Sequence, residues 1–262
     1  NEKISLPTLK ALADLDYIKL EKKQILRDSY HQITTKQNTD KKLTSDQMTA
    51  LKNIEIAQHQ GKQKFLLYGV TGSGKTQIYI EMALKARALG KQVLILVPEI
   101  VLTGQLVTSF KEYFTDDVAV IHSRLSVGER NDTFWRIRTK QVGIIIGARS
   151  ALFAPFEDLG LIVMDEEHDP SYKQDESPRY HSHDIIEKMA EIYHATLIMG
   201  SATPSLESYS RAMKGIYDLY TLDKRINQKP LPKVEIVDML EEMHHRNYSL
   251  FSRTMKERIQ MT

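Results

Sequence analysis

The chain has 262 residues, 41% of them apolar and 8% aromatic, enough for a sizeable core and incompatible with a wholly disordered chain. No window reaches the roughly 18 uninterrupted apolar residues of a membrane span, the first residues lack the pattern of a secretory signal, and the absence of cysteine excludes disulfides and thiolate-bound metal. The expectation is a cytoplasmic protein with no membrane partner. Lys and Arg number 36 against 34 Asp and Glu, a formal charge of +2, so any nucleic-acid surface must be a local patch.

In chain order, Leu9, Leu12 and Leu15 have helical spacing within residues 1–30, a segment too short to bury its own core. It reads as a helical lead-in or the tail of an upstream domain. Residues 31–42 are polar and read as a linker. Over residues 43–224, apolar runs alternate with helical stretches: "KFLLYG" from Lys64, "QVLILVP" from Gln92, "VAVIH" from Val118, "VGIIIG" from Val142, "LIVMD" from Leu161 and "TLIMGS" from Thr196. Continuous apolar strands separated by helices predict an α/β fold, a mostly parallel central sheet flanked by helices. Ile78, Met82, Ala83 and Ala86 mark one helix face, with Gly90 placed to stop it. Ser126 and Glu129 form a capping box opening a helix through Trp135, whose ring is expected on the apolar face with Phe134 and Ile137. Residues 225–262 read as a polar, Pro-containing connection, a short strand "VEIVDM" and a final helix that starts a further domain.

"GVTGSGKT", Gly69 to Thr76, matches the phosphate loop G-x-x-x-x-G-K-[ST] between a predicted strand and a predicted helix. Gly69, Thr71, Gly72, Ser73 and Gly74 would wrap backbone amides around phosphates, Lys75 adds a positive charge, and Thr76 offers a hydroxyl to Mg²⁺. The predicted strand "LIVMD" delivers Asp165 and Glu166 at its C-terminal end, where open parallel sheets bind ligands. Asp165 is the expected Mg²⁺ carboxylate and Glu166 the group that orients and deprotonates a water. Gln47 has two readings: with Thr44 it has the spacing of a capping box, and its amide could equally read an adenine edge. The stretch 169–184 carries Tyr172, Lys173, Arg179 and Tyr180, a mix of rings and cations suited to single-stranded DNA, or else a surface loop anchored by its tyrosines. His168, His181, His183 and His194 lack the partners of a structural zinc set, so no zinc is expected here.

Together "GVTGSGKT", "DEEH", "GARSALFAPF", "SYKQDESPRYH" and "GSATPSLES" make the chain resemble superfamily 2 helicases, and among them the primosomal replication-restart helicase family, over about Leu43 to Asp223. That resemblance implies a first RecA-like, ATP-binding lobe of a 3′ to 5′ DNA helicase acting on single-stranded and forked DNA in fork restart and primosome assembly. It further implies replication-restart proteins, replicative helicase loading machinery and single-stranded DNA-binding protein as partners, with a monomeric state. Gln47 would recognise adenine, and His168, Ser201 and Thr203 would relay nucleotide state. Thr103, Arg149 and Ser150 would meet the DNA backbone, and the aromatic-rich loop would sense it. Residues 1–30 would end a winged-helix-like region, and residues 225–262 would lead into a truncated second lobe. The family's arginine fingers and its cysteine-ligated zinc module would lie outside this chain, leaving it weakly active or inactive alone. The other readings are a duplex DNA translocase and a non-catalytic, nucleotide-dependent DNA-binding module, the latter disfavoured by the joint presence of Lys75, Asp165 and Glu166.

Overall fold

The strands are continuous apolar runs because helices cover both faces of the sheet they form. In the computed structural model, which describes residues 6–15, 17–19, 42–99, 104–226 and 234–260, the strands are β1 (Lys64–Gly69), β2 (Gln92–Leu96), β3 (Val118–Ile121), β4 (Ile144–Gly147), β5 (Leu159–Asp165), β6 (Lys173–Gln174), β7 (Tyr180–His181), β8 (Thr196–Ser201) and β9 (Asp218–Leu222). The helices are α1 (Leu6–Asp14), α2 (Ser45–His59), α3 (Lys75–Ala88), α4 (Gly104–Phe114), α5 (Val127–Arg138), α6 (Ser182–Tyr193), α7 (Leu206–Met213), α8 (Met239–His244) and α9 (Arg253–Gln260). The chain divides into two units, residues 1–226 and 227–262. Residues 31–41 of the expected linker, and Thr103, lie outside the described residues.

Seven strands of the first unit form a parallel sheet in the order β3-β4-β2-β5-β8-β1-β9. Side chains alternate between its faces, as the pleat demands. Phe65, Leu67, Val93, Ile95, Ile144, Ile146, Val163 and Ile198 pack with α2, α3 and α4 residues in one core layer. Leu66, Leu94, Leu96, Ile145, Ile162, Met164, Leu197 and Met199 pack in the other with residues of α5 and α6. Each fully buried aliphatic side chain contributes about 1.5–3 kcal/mol, and the two layers fix the register of the buried strands β1, β2, β3, β4, β5 and β8, since a one-residue slip would exchange their faces.

The capping boxes at Thr44–Gln47 and Ser126–Glu129 are both formed. Gly90 takes a positive φ of 73° just beyond α3, the left-handed turn that ends the helix. Two expectations are corrected. Trp135 is not on the buried face of α5, being 43% exposed while Ile137 is buried. "VEIVDM" forms no strand among the described residues: it lacks a pairing edge, Ile236 is exposed, and α8 begins at Met239 with Asp238 as its cap. Edge strand β9 escapes the sequence reading because "DLYTL" is short and mixed, yet it pairs with β1 along its length. In the second unit, Glu242 of α8 accepts from the Arg253 main-chain N–H at 2.9 Å and from its guanidinium at 3.2 Å, tying α8 to the start of α9. Among the described residues no helix is long and apolar enough to cross a membrane.

Candidate active site

The sheet delivers three motifs to one edge. Asp165 of β5 is in register with Gly200 of β8, and Gly200 with Leu67 of β1, so the ends of three adjacent strands come together. After β1 the chain turns through Gly72 and Gly74, with φ of 81° and 84°, values that side-chain-bearing residues rarely adopt. Gly74 caps α3 without any side-chain hydrogen bond, leaving the helix's first amides available to an anion. Thr71 and Gly72 are exposed at the rim, Thr76 is half-buried in the first turn, and Lys75 is buried with its ammonium donating to the Gly69 carbonyl at 2.8 Å. Among the described residues the buried Ser73 hydroxyl has no hydrogen-bond partner.

Gln47 grips this loop from α2. Its Oε1 accepts from the Thr44 N–H at 2.8 Å, completing the capping box, while Nε2 donates to the Ser73 and Gly74 carbonyls at 3.3 and 3.1 Å. A Cβ on Gly74 would overlap that amide, so glycine is required there by space as well as by φ.

Asp165 is buried, and its Oδ1 accepts from the Tyr79 hydroxyl at 2.9 Å. Burial raises its pKa above the ordinary carboxylate value, against the opposing pull of the Tyr79 hydrogen bond and the Lys75 charge. Tyr79 is fully buried, and burial with the neighbouring Asp165 charge pushes its pKa well up. No motif in the sequence marks Tyr79. Its available signal is position: Tyr79 lies one helical turn after Lys75, on the same face.

Glu166 has a φ of 46°, a left-handed value for a non-glycine residue at the point where the chain leaves β5. Its carboxylate lies 3.7 Å from His168 Nδ1. His168 in turn meets the Ser201 hydroxyl at 2.8 Å and the Thr203 hydroxyl at 3.4 Å, and the Thr203 N–H donates to Ser201 Oγ at 3.0 Å. The structure thus brings Glu166, His168, Ser201 and Thr203 into one cluster. Glu167, unassigned by sequence, has a fully enclosed carboxylate that accepts from Ser205 and Ser208 of the α7 N-terminus and contacts His183 of α6. Burial alone would raise its pKa; hydrogen bonds from His183, Ser205 and Ser208 outweigh this and hold it below the ordinary value.

Of the two readings of Tyr172, burial favours the anchor over an exposed stacking ring: it is 1% exposed, and its hydroxyl donates to the Asp165 main-chain carbonyl at 2.7 Å. Burial of that kind is invisible in a run of rings and cations. Lys173 and Tyr180 instead lie on the β6–β7 hairpin, with Arg179 exposed between the strands and Lys173 paired to Asp175 at 2.9 Å. Arg149 donates to the Ser171 and Lys173 carbonyls and sits 5.8 Å from the Tyr180 ring centroid, and Phe153 meets that ring edge-on at 5.6 Å. Arg149, Ser150, Phe153, Gln174 and Tyr180 line a cleft of about 390 Å³.

Residues 44–212 match the family of DEAD/DEAH box helicases. The chain is 45% identical over 259 residues to the replication restart protein PriA of Bacillus subtilis, covering 98% of this chain and 32% of that protein. It is 41% identical over 255 residues to PriA of Chlamydia trachomatis, covering 96% of this chain and 34% of that one. The chain therefore spans about a third of the length of these relatives. Among solved structures, RecG bound to a three-way DNA junction superposes with a TM-score of 0.53 at 24% identity, over 79% of this chain and 27% of RecG, a likeness of fold.

Proposed function

The chain belongs to the DEAD/DEAH box helicase family, and from that premise we propose that it is the ATP-binding lobe of a 3′ to 5′ DNA helicase acting in replication-fork restart and primosome assembly. The observation that carries this reading is the register of Leu67, Gly200 and Asp165, which sets the phosphate loop, the Ser201–Thr203 turn and the acidic pair side by side. The names of the relatives supply the replication-restart context.

The residues suit a magnesium nucleotide. An α3 N-terminus without a side-chain cap, a buried Ser73 hydroxyl with no hydrogen-bond partner among the described residues and the Lys75 ammonium favour phosphate, and the buried Asp165 carboxylate favours a cation. Thr76 and Asp165 would hold Mg²⁺, which when bound neutralises phosphate charge and orients the transferring group. Lys75 and the loop amides of Gly72 to Thr76 position the phosphates. Glu166 accepts the proton of the attacking water, and the Glu166–His168–Ser201–Thr203 contacts report the state of that site to the chain after β8. Gln47 Oε1 keeps one lone pair for the adenine amine after accepting from Thr44. Thr103, Arg149 and Ser150 meet the DNA backbone, while Lys173, Arg179 and Tyr180 face single-stranded DNA. Replication-restart and helicase-loading proteins would act through the longer protein.

An arginine from a second lobe would stabilise the transferring phosphoryl, so this chain alone should bind nucleotide yet hydrolyse it slowly, by a factor on the order of 10³ to 10⁵. Strand separation by the full-length protein on forks with 3′ or 5′ single-stranded tails tests the reading. ATP- and Mg²⁺-dependent unwinding with 3′ to 5′ polarity is expected. Movement on duplex without strand separation would make it a translocase, and DNA binding without hydrolysis would make it a binding module.

A further inference from the structure

Both carboxylate oxygens of Glu167 are held by hydrogen bonds from other elements of the fold. Its main-chain N–H, two residues beyond the end of β5, donates to the Gly200 carbonyl of β8 at 3.1 Å, while its carboxylate has no exposed surface. Oε1 accepts from the Ser205 N–H at 2.7 Å. Oε2 accepts from the Ser205 and Ser208 hydroxyls at 3.0 and 2.8 Å and lies 2.9 Å from His183 Nε2.

These partners belong to two segments. Ser205 caps α7, which follows directly on the Ser201–Thr203 turn. His183 stands in the first turn of α6, which follows directly on the β6–β7 hairpin, and its Nδ1 is 2.9 Å from His181 Nδ1 on β7. One carboxylate, placed between Glu166 and His168 in the chain, therefore holds the start of both helices. A buried ion is a weak source of stability, because desolvation offsets its attractions. What four hydrogen bonds on one carboxylate do supply is a fixed geometry among three chain segments.

We propose that Glu167 is the positioning residue that registers the β6–β7 hairpin and the Ser201–Thr203 turn against Asp165 and Glu166, so that nucleic acid seated on the hairpin alters turnover. The inference rests on the helicase reading above and adds a specific link to it. Among the described residues the hydrogen-bond partners of Glu167 and His183, apart from each other, lie on β7, β8 and the start of α7 and not on the phosphate loop, so the effect is on coupling and not on the chemical step.

The test uses the full-length protein with Glu167→Gln, His183→Asn, both together, and Ser208→Ala as a milder change that keeps the carboxylate. ATP turnover is measured without DNA and at saturating single-stranded DNA, together with DNA affinity. Glu167→Gln and His183→Asn should each lower DNA stimulation about tenfold, within the usual range of coupling between sites, with DNA-free kcat and the KM for ATP nearly unchanged. The double variant should be no worse than the poorer single one, since both cut one link. Full stimulation in all variants would overturn the proposal. So would a proportional fall of basal and stimulated rates, which marks a merely structural carboxylate. A wild-type protein that hydrolyses ATP without any response to DNA would defeat the helicase reading itself, and the inference with it.

Discussion

The Tyr172 hydroxyl donates to the main-chain carbonyl of Asp165 at 2.7 Å, so the chain leaving the acidic motif is tied back to the motif's first residue. The Tyr172 carbonyl in turn accepts from the Ser182 hydroxyl at 2.7 Å. The hairpin between them is therefore an excursion whose two feet, Tyr172 and Ser182, are joined to each other and, through the Tyr172 hydroxyl, to Asp165 at the end of β5.

Tyr172→Phe keeps the buried ring but leaves the Asp165 carbonyl short of a donor, at a cost of about 1–3 kcal/mol. Tyr180→Ala removes a half-buried ring from the cleft and should leave stability nearly intact while weakening single-stranded DNA binding by about 1–3 kcal/mol per stacked base. Thermal melts and DNA titrations on both variants separate the roles. Equal losses of DNA affinity would show that the Tyr172 hydroxyl serves DNA binding directly and does not merely anchor the chain beneath Asp165.

The two carboxylates at the end of β5 should fail differently. Asp165→Asn removes charge at the buried position beside Tyr79 and Lys75 and should weaken Mg²⁺-dependent nucleotide binding. Glu166→Gln should bind nucleotide nearly normally and lose turnover, because only the proton acceptor is gone. Nucleotide titrations with and without Mg²⁺, paired with steady-state rates in the full-length protein, distinguish them. Undiminished turnover in Glu166→Gln would strip that residue of its role.

Local spacing made part of this site legible. The phosphate loop needs closely set glycines and a lysine at fixed offsets, and Asp165 with Glu166 stands directly after an apolar strand, so both can be read from a short window. Burial cannot. Tyr172 and Tyr180 look alike in sequence, yet one lies under the sheet edge and the other lines a cleft, because only tertiary packing decides which ring has room. Glu167 could not be told from its neighbours, since its partners Ser205, Ser208 and His183 lie 16 to 41 residues away. Gln47 was readable only as two alternatives, and the amide turns out to use its oxygen for the cap and its nitrogen for the loop. "VEIVDM" has the alternation of a strand without a described edge to pair with.

Gly200 exists to make room for Tyr79. A Cβ there would overlap the Tyr79 hydroxyl and come within 3.4 Å of Asp165 Oδ1. Gly200→Ala should therefore displace the ring, break its hydrogen bond to Asp165 and destabilise the lobe by about 1–3 kcal/mol through overpacking. Tyr79→Phe, which removes the clashing oxygen, should partly rescue Gly200→Ala, and chemical denaturation of the two singles and the double forms the cycle. Strict additivity would show that the two residues do not meet.

Glu242 should titrate far below its peers. The Arg253 N–H, its guanidinium and the Asn247 amide all donate to it, holding its pKa down from the ordinary 4.5 to about 2. A depressed carboxylate pKa means that its stabilisation of the α8–α9 unit is present above the unfolded value and is lost as pH falls toward about 2. Following the side-chain carboxyl carbon by NMR should place the midpoint near 2 in the wild type. Arg253→Ala should move it up toward 4.5, and an ordinary midpoint in the wild type would show that these donors are not engaged in solution.

Thr44 and Gln47 share one capping box but should not share one phenotype. Thr44→Ala removes the acceptor that the Gln47 N–H uses at 3.3 Å and should cost about 1 kcal/mol of stability, leaving the grip of Gln47 Nε2 on the Ser73 and Gly74 carbonyls in place. Nucleotide affinity should then stay close to that of the wild type. Gln47→Ala loses the cap's reciprocal bond and both bonds to the loop, and it opens space beside Gly74, so stability and nucleotide affinity should fall together. Gln47→Glu discriminates further. Its carboxylate can still accept from the Thr44 N–H, but it cannot donate to the loop carbonyls and it sets a negative charge beside the phosphate site. Helix capping should survive in that variant while ATP and ADP binding falls more than in Gln47→Ala. Calorimetric titration with each nucleotide, alongside thermal melts, checks the series. Equal nucleotide affinity in Thr44→Ala, Gln47→Ala and Gln47→Glu would mean that Gln47 serves α2 alone and that the loop holds its shape without it.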